Sequence, residues 1–177
     1  MLGHSIKMTI FLKWNVLRAV VIASALAASS WAAAQTAPYA QVQRLIGAQQ
    51  LDQALTLADD WLQNQPRDPQ MRLLKAVIQS QTQQKDAALA TLTAITQEFP
   101  ELPEPYNNLA VLHAQAGDLQ QARLALEMAL RINPTYSTAQ RNLGDVYVQL
   151  ALQAYQQAKQ PELSSRIETL QQLTPKR

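Results

Sequence analysis

Apolar residues recur along most of the chain at the spacing of an amphipathic helix. After Pro103, for example, Tyr106, Leu109, Ala110 and His113 fall at positions i, i+3, i+4 and i+7, which places them on one face of a helix. The same spacing predicts helices near residues 37–48, 51–64, 69–82, 85–98, 103–115, 119–131, 137–159 and 162–173. These predicted helices indicate an all-α fold.

The helical pattern repeats with a period of 34 residues. Three columns of residues share this period: Pro66, Pro100 and Pro134; Ala54, Ala88 and Ala122; and Val42, Ala76, Ala110 and Gly144. Three independent columns with one period indicate an internal repeat, and a repeat of this length is typical of stacked helical hairpins.

Turn and cap residues are predicted between the two helices of each unit. Gly117 permits a tight turn, and Asp118 is placed to cap the helix that follows. Asp52 and Asp86 lie 34 residues apart at the equivalent turns of the two preceding units, so the sequence predicts that they cap the equivalent helices. Pro134 is expected to end the second helix of its unit.

The unit from about Pro103 to Tyr136 resembles the tetratricopeptide repeat. The residues that carry the resemblance are Tyr106, Leu109, Ala110, His113, Ala122, Leu126, Ala129 and Pro134. The resemblance covers roughly residues 37–158 and implies an α-solenoid of about three to four helical hairpins with a C-terminal capping helix. It places the repeats near 35–68, 69–102, 103–136 and 137–160, and the terminal helix at 162–173, within a domain of residues 35–177.

The first and last units depart from this pattern. After Tyr147 no Gly or Asp marks a turn, so residues 137–160 form either one long helix or a shortened hairpin that bends near Gln149–Leu152. The long helix is favoured because solenoids need an atypical end that shields the last apolar face. In the first unit, Trp61 occupies the position of Ile95 and Ala129 and is expected to fill the core.

The N-terminal segment has the layout of a secretory signal peptide. Lys7, Lys13 and Arg18 precede an uncharged apolar run from Ala19 to Ala28, and Ala32–Ala34 provides a small-residue cleavage site. Residues 1–34 are therefore predicted to be a signal peptide that directs the protein to the periplasm. The alternative is an uncleaved N-terminal helix that anchors the protein in the inner membrane.

Charge and composition exclude several classes of function. The leader holds three of the 15 basic residues and none of the 13 acidic ones, so the remaining chain has a formal charge of −1. No basic patch is left for nucleic acid. The chain has no cysteine, and outside the leader its one histidine is His113, so a His/Cys metal site cannot form within one chain. No nucleophile motif or Gly-rich phosphate loop is present, and we predict neither enzyme activity nor a cofactor or metal.

The resemblance implies a concave groove, lined by the first helix of each hairpin, that binds a protein or peptide partner. Its predicted lining is Leu73, Val77, Asn107, Asn108, Val111, Arg141, Asn142 and Asp145, with Leu74 beside them. Some family members hold the C-terminal carboxylate of a partner with Lys, Arg and two Asn. Here Asn108 fits one of those positions, but Leu73 and Val77 stand where basic residues are expected. The expected function is therefore an envelope adaptor or assembly factor with a mixed apolar and amide groove. The alternative is a structural subunit of a membrane complex, tethered by the uncleaved helix.

Overall fold

A computed structural model describes residues 37–158 and 160–173 of the chain, and the predicted signal segment, residues 1–34, lies outside the described residues. Within the described ranges there are eight α-helices, one 3₁₀ turn and no strand, which confirms the predicted all-α fold. The helices are α1 (Tyr39–Gly47), α2 (Leu51–Asn64), α3 (Pro69–Gln81), α4 (Lys85–Glu98), α5 (Pro103–Ala116), α6 (Leu119–Ile132), α7 (Ser137–Ala158) and α8 (Ser164–Leu173), with the 3₁₀ turn at Pro161–Leu163.

The turns inside the first three hairpins share one backbone geometry, repeated every 34 residues. Gln49, Gln83 and Gly117 adopt left-handed backbone angles, with φ of 57°, 62° and 87°. In each turn the next residue donates its N–H to the carbonyl five positions earlier, at 2.8–2.9 Å. This is the Schellman arrangement, which satisfies the free carbonyls at a helix end. Glycine adopts such angles without strain, whereas the two glutamines do so at a cost.

The aspartates that were predicted to cap helices do not do so. Asp118 precedes α6, but its side chain accepts no capping hydrogen bond. Asp52 and Asp86 are the second residues of α2 and α4, which are preceded by Gln50 and Gln84. The left-handed turn places the residue before each helix at ψ of 56–62°, outside the extended region in which a side chain normally caps. The carboxylates of Asp52 and Asp86 still lie in the first turn, where the helix dipole favours negative charge.

Small residues allow the helices of each hairpin to pack closely. Ala54, Ala88 and Ala122 are fully buried, and Ala76 and Ala110 are 1% exposed. Around them lie larger buried side chains, including Met71, Ile78, Leu92, Ile95 and Leu126. The buried residues form three clusters, one for each successive part of the solenoid. The column of Ala54, Ala88 and Ala122 and the column of Val42, Ala76 and Ala110 are therefore helix contact positions, as close approach of helix backbones requires.

The fourth unit differs because α7 does not turn where the earlier hairpins do. Residue 151, one period after Gly117, is an alanine within α7, which runs unbroken from Ser137 to Ala158. The long-helix alternative is therefore the one observed. Gly144 is exposed, and a Cβ there would meet no atom within 4 Å. Helix α8 packs on α7 but has no fully buried residue. None of the helices described here is both long and apolar enough to span a membrane.

Candidate functional site

The first helices of the hairpins lie side by side and form one face of the solenoid. Helix α1 contacts α3, α3 contacts α5, and α5 contacts α7. The second helices α2, α4 and α6 pack between them from the other side. Side chains on the first helices that are not used in hairpin packing therefore remain available on this face.

A cleft of about 250 Å³ opens between α3 and α5 on this face. Its lining consists of Ala76, Val77, Ser80, Gln81, Leu92, Asn108, Val111, Leu112 and Gln115. The floor is apolar because Leu92 and Leu112 are nearly buried, whereas Val111 is 37% exposed at the rim. The described residues that line the cleft include no acidic, basic or histidine side chain, so it can bind a neutral group by apolar contact and hydrogen bonds.

Three asparagines connect the cleft to α7 through hydrogen bonds. The Nδ2 of Asn142 on α7 donates to the Oδ1 of Asn107 on α5 at 2.8 Å. The Nδ2 of Asn107 donates to the Oδ1 of Asn108 at 3.4 Å. Asn107 is 4% exposed, and no buried side-chain polar atom of the described residues lacks a partner. The three carboxamides, here called the amide relay, therefore fix one another's orientation, as buried polar groups must be paired.

Three of the eight residues predicted to line the groove meet at the cleft. They are Val77 from α3 and Asn108 and Val111 from α5. Three further polar residues of the cleft, Ser80, Gln81 and Gln115, were missed by the sequence analysis. Each lies three or four positions after Val77 or Val111, so helical spacing carries the signal that identifies them.

The other predicted groove residues lie outside the cleft. Leu73 packs against the cluster of Ala76, Leu92 and Leu109, and Leu74 packs against the neighbouring cluster. Asn107 differs from the prediction, because it is buried in the amide relay and cannot contact a partner directly.

Residues Arg141, Asn142 and Asp145 belong to α7 and do not reach the cleft. Asn142 is half-buried and joins the relay. Arg141 is exposed and Asp145 is half-buried, and neither forms an ion pair with another described residue.

A second polar cluster, which the sequence analysis did not predict, lies at the junction of α1, α2 and α3. Asp68 Oδ2 accepts hydrogen bonds from Tyr39 Oη at 2.6 Å and from Trp61 Nε1 at 2.7 Å. Asp68 Oδ1 accepts from the backbone N–H of Met71 at 3.0 Å and so caps α3. Trp61 packs against the core as expected, but its indole N–H also ties α2 to this carboxylate.

The pKa values at this junction follow from burial and these hydrogen bonds. Burial acts to raise the pKa of Asp68, but hydrogen bonds from Tyr39, Met71, Trp61 and the backbone of Gln70 outweigh it and hold the pKa below its usual range. Burial and the bond to Asp68 raise the pKa of Tyr39 to about 12. The cluster therefore stabilises the charged carboxylate and the neutral phenol together.

Glu98, at the end of α4, forms ion pairs with two arginines. Glu98 accepts from both Arg72 and Arg67, and these bonds hold the pKa of its carboxyl below the usual range. His113 is half-buried on α5. Over residues 37–158 and 160–173 no three His, Cys, Asp or Glu side chains are grouped as metal ligands would be.

Comparison with known sequences identifies the repeat. Two profiles of the tetratricopeptide repeat match the chain, one over residues 39–103 and the other over 81–143. Together they span α1 to the first part of α7. No curated protein matches the chain at a significant level.

Solved structures of tetratricopeptide-repeat proteins share this fold. The TPR domain of Sgt2 from Aspergillus fumigatus superposes with a TM-score of 0.62 at 17% identity, covering 69% of this chain and 82% of that one. A thermophilic TPR protein from Thermus thermophilus gives 0.59 at 25% identity, covering 75% and 79%. The first TPR of Spaghetti, solved with a bound HSP90 peptide, gives 0.57 at 14% identity, covering 63% and 88%.

Proposed function

Because this chain belongs to the tetratricopeptide-repeat family, we propose that it is a non-enzymatic adaptor that holds a segment of a partner protein in the cleft between α3 and α5. The observation that carries the proposal is the cleft itself, with an apolar floor and a rim of neutral polar side chains. Ligand-binding pockets usually combine such a floor with a few placed polar groups.

The chemistry of the cleft supports a protein ligand rather than a substrate of an enzyme. The one hydroxyl of the described lining belongs to Ser80, and no acid or base lines the cleft beside it, so the pairing that activates a nucleophile or transfers a proton is missing. A related fold, the first TPR of Spaghetti, was solved with an HSP90 peptide, which supports a peptide segment as the kind of ligand. A segment that ends in a carboxylate is disfavoured here, because no Lys or Arg of the described chain lines the cleft.

We further propose that the adaptor works in the bacterial cell envelope. The support is the layout of residues 1–34, in which basic residues, an apolar run and small residues follow one another. Removal of this segment places the protein free in the periplasm. Retention of it tethers the same adaptor to the inner membrane as a subunit of an envelope complex.

A site-specific photocrosslinker tests the role of the cleft. Val111 at the rim is replaced by a photoreactive phenylalanine in the full-length chain, expressed in the native host. The matched control carries the same residue in place of Leu124 on α6, which is 49% exposed and lies outside the cleft. Mass spectrometry of the crosslinked bands identifies the captured protein and the captured segment, and N-terminal sequencing of the tagged protein shows whether residues 1–34 are removed.

The outcomes separate the proposals. Capture of one defined segment from position 111, and not from position 124, supports the cleft as the working site. Equal capture from both positions, or capture from position 124 alone, contradicts it. An N-terminus at residue 35 supports a free periplasmic protein, an intact N-terminus supports the tethered form, and recovery of the protein from the cytoplasm contradicts the envelope proposal.

A further inference from the structure

The first half of α7 exposes a helix face that the earlier units bury. In each earlier unit, a column residue of the first helix packs in one buried cluster with the column alanine of the second helix. These pairs are Val42 with Ala54, Ala76 with Ala88, and Ala110 with Ala122. The equivalent residue of the fourth unit, Gly144, is exposed. Its partner position, one period after Ala122, is Gln156, which belongs to α7 itself, so the described chain supplies no second helix to cover Gly144.

Helix α8 is too short to take the place of that second helix. It has 10 residues, whereas α7 has 22, which corresponds to lengths of about 15 Å and about 33 Å. Because the 3₁₀ turn Pro161–Leu163 joins α8 to the C-terminal end of α7, α8 packs on the second half of α7. In agreement, a Cβ at Gly144 would meet no atom within 4 Å, and Tyr147 is 48% exposed. The first half of α7 therefore remains uncovered on this side.

The uncovered part of α7 carries a positive and a negative side chain that pair with no other described residue. Arg141 is exposed and Asp145 is half-buried, and neither forms an ion pair within the described chain. The two are four positions apart with the positive residue first, which is the weaker order for a pair within one helix. If two copies of α7 lie antiparallel and cross at the level of Leu143, Arg141 of each copy comes opposite Asp145 of the other. The face is therefore complementary in charge to itself.

We propose that this face of α7, formed by Gln140, Arg141, Gly144, Asp145 and Tyr147, binds a second copy of the chain. A two-fold axis relates the copies, and α7 of one packs antiparallel against α7 of the other. Gly144 allows the two helix backbones to approach closely, as the column alanines do within the earlier hairpins. A two-fold contact repeats every interaction, so the interface contains two Arg141–Asp145 pairs. The inference goes beyond the proposed function, because the dimer does not use the cleft between α3 and α5.

The composition of the face and of the chain favours a second copy over a different protein. The two-fold arrangement supplies both opposite charges from this chain alone, without a partner of matching sequence. In the same register, the ring of Tyr147 comes opposite Gln140 of the second copy. The hydroxyl of Tyr147 donates to Glu127 of its own chain at 3.3 Å, which leaves the ring for the contact, and tyrosine is enriched in such interfaces. The formal net charge of the whole chain is only +2, so two copies repel each other little.

Sedimentation equilibrium of the full-length chain, purified from its native host, tests whether a second copy binds. We expect a monomer–dimer equilibrium between about 1 µM and about 100 µM. A chain that stays monomeric over this range overturns the proposal. A photoreactive phenylalanine in place of Tyr147 provides the test inside the cell. Capture of a second copy supports the proposal, whereas capture of a different protein alone shows that another partner occupies the face and overturns it.

Two charge reversals test the register. Arg141→Glu places like charges opposite each other in its own dimer, and so does Asp145→Lys. Each variant alone should dimerise at least about tenfold more weakly than wild type, because two ion pairs become two repulsions. In an equimolar mixture, Glu at position 141 of one variant meets Lys at position 145 of the other, and the wild-type pair forms on the opposite side. The mixture should therefore dimerise within about twofold of wild type, a result that pairing within one helix cannot produce.

A matched pair of glutamine variants tests the close approach of the helices. Gly144→Gln adds a side chain at the crossing and should weaken dimerisation at least about tenfold, while its helical content stays that of wild type. Ala154→Gln is the control, since Ala154 is exposed on the same helix but its counterpart in the antiparallel register falls before the start of α7. Reversed variants that dimerise like wild type, a mixture no tighter than its components, or equal effects at positions 144 and 154 would each overturn the proposed pairing. Crosslinking from Val111 addresses the cleft separately, so failure of the dimer does not decide the proposed function.

Discussion

Replacement of Asp68 is predicted to loosen the junction of the first three helices. In Asp68→Ala, α3 loses its side-chain cap on Met71, and the hydroxyl of Tyr39 and the indole N–H of Trp61 lose their acceptor. A lost N-cap costs about 1 kcal/mol. Hydrogen bonds to a charged group contribute about 1.5–3 kcal/mol each when buried. These two are partly buried, so water replaces part of each, and the expected loss for the whole cluster is about 3 kcal/mol.

Asp68→Asn separates the two functions of the carboxylate. An amide offers one oxygen, which can cap Met71 or accept from Tyr39 and Trp61, but not both. The expected loss is therefore about 1–2 kcal/mol, between wild type and Asp68→Ala. The matched control is Asp86→Ala, an exposed first-turn acid without a side-chain cap, which should change stability by no more than about 0.5 kcal/mol, as is usual for surface sites.

Urea denaturation followed by circular dichroism measures these differences. With a slope of about 1–3 kcal/mol per molar urea, Asp68→Ala should lower the midpoint by at least about 1 M. Because hydrogen bonds hold the pKa of Asp68 below its usual range, it contributes stability that is present above about pH 4 and is lost as the pH falls through its folded pKa. The variant should therefore lose less stability than wild type between pH 5 and pH 2. If Asp68→Ala behaves like Asp86→Ala in both measurements, the three hydrogen bonds do not stabilise the junction.

Three further predictions concern stability. Gln83→Gly should raise the free energy of unfolding by about 0.5–1 kcal/mol because glycine relieves the left-handed strain. The reverse change Gly117→Gln should lower it by a similar amount, since a Cβ at position 117 would meet no atom within 4 Å and the backbone strain alone remains. Urea midpoints that move the other way refute the assignment of strain. Tyr39→Phe should reduce the loss of stability at high pH, because the pKa of Tyr39 is raised to about 12. The contribution of Tyr39 to the free energy of unfolding is complete below about pH 10 and is lost as the pH rises through its folded pKa. Equal dependence of the melting temperature on alkaline pH in the variant and the wild type would contradict this. Leu126→Ala, at a side chain that is 1% exposed, should lower the free energy of unfolding by about 2–5 kcal/mol, whereas Leu124→Ala, at a side chain that is 49% exposed, should lower it by less than about 0.5 kcal/mol. Equal shifts of the melting temperature in the two variants would refute the packing of α6.

The repeat and the helices could be predicted from the sequence because they depend on local spacing. The column of Ala54, Ala88 and Ala122 corresponds to buried helix contacts, and the absence of a turn signal after Tyr147 corresponds to the continuous helix α7. The caps could not be predicted in the same way. Asp118 follows a left-handed residue, and the backbone hydrogen bonds of that turn, rather than the aspartate side chain, satisfy the helix ends.

The site was predictable only in part because side-chain pairing across helices leaves little trace in one sequence. Val77, Asn108 and Val111 face the cleft as their helical positions indicate. Asn107 and Asn142 lie 35 residues apart, one more than the period, so the repeat pattern does not pair them. Asp68 accepts hydrogen bonds from Tyr39 on α1 and Trp61 on α2. The three residues do not share a 34-residue column, so the repeat pattern does not bring them together.

The hydrogen bond from Trp61 to Asp68 also gives the molecule a local optical reporter. The other tryptophans, Trp14 and Trp31, belong to residues 1–34, so a chain that begins at residue 35 emits tryptophan fluorescence from position 61 alone. That emission senses the junction of α2 and α3, whereas circular dichroism averages over every helix. Since neighbouring repeats of a solenoid are coupled only through their interfaces, comparing the two signals during unfolding shows directly whether the first repeats melt before the rest or the array unfolds as one unit.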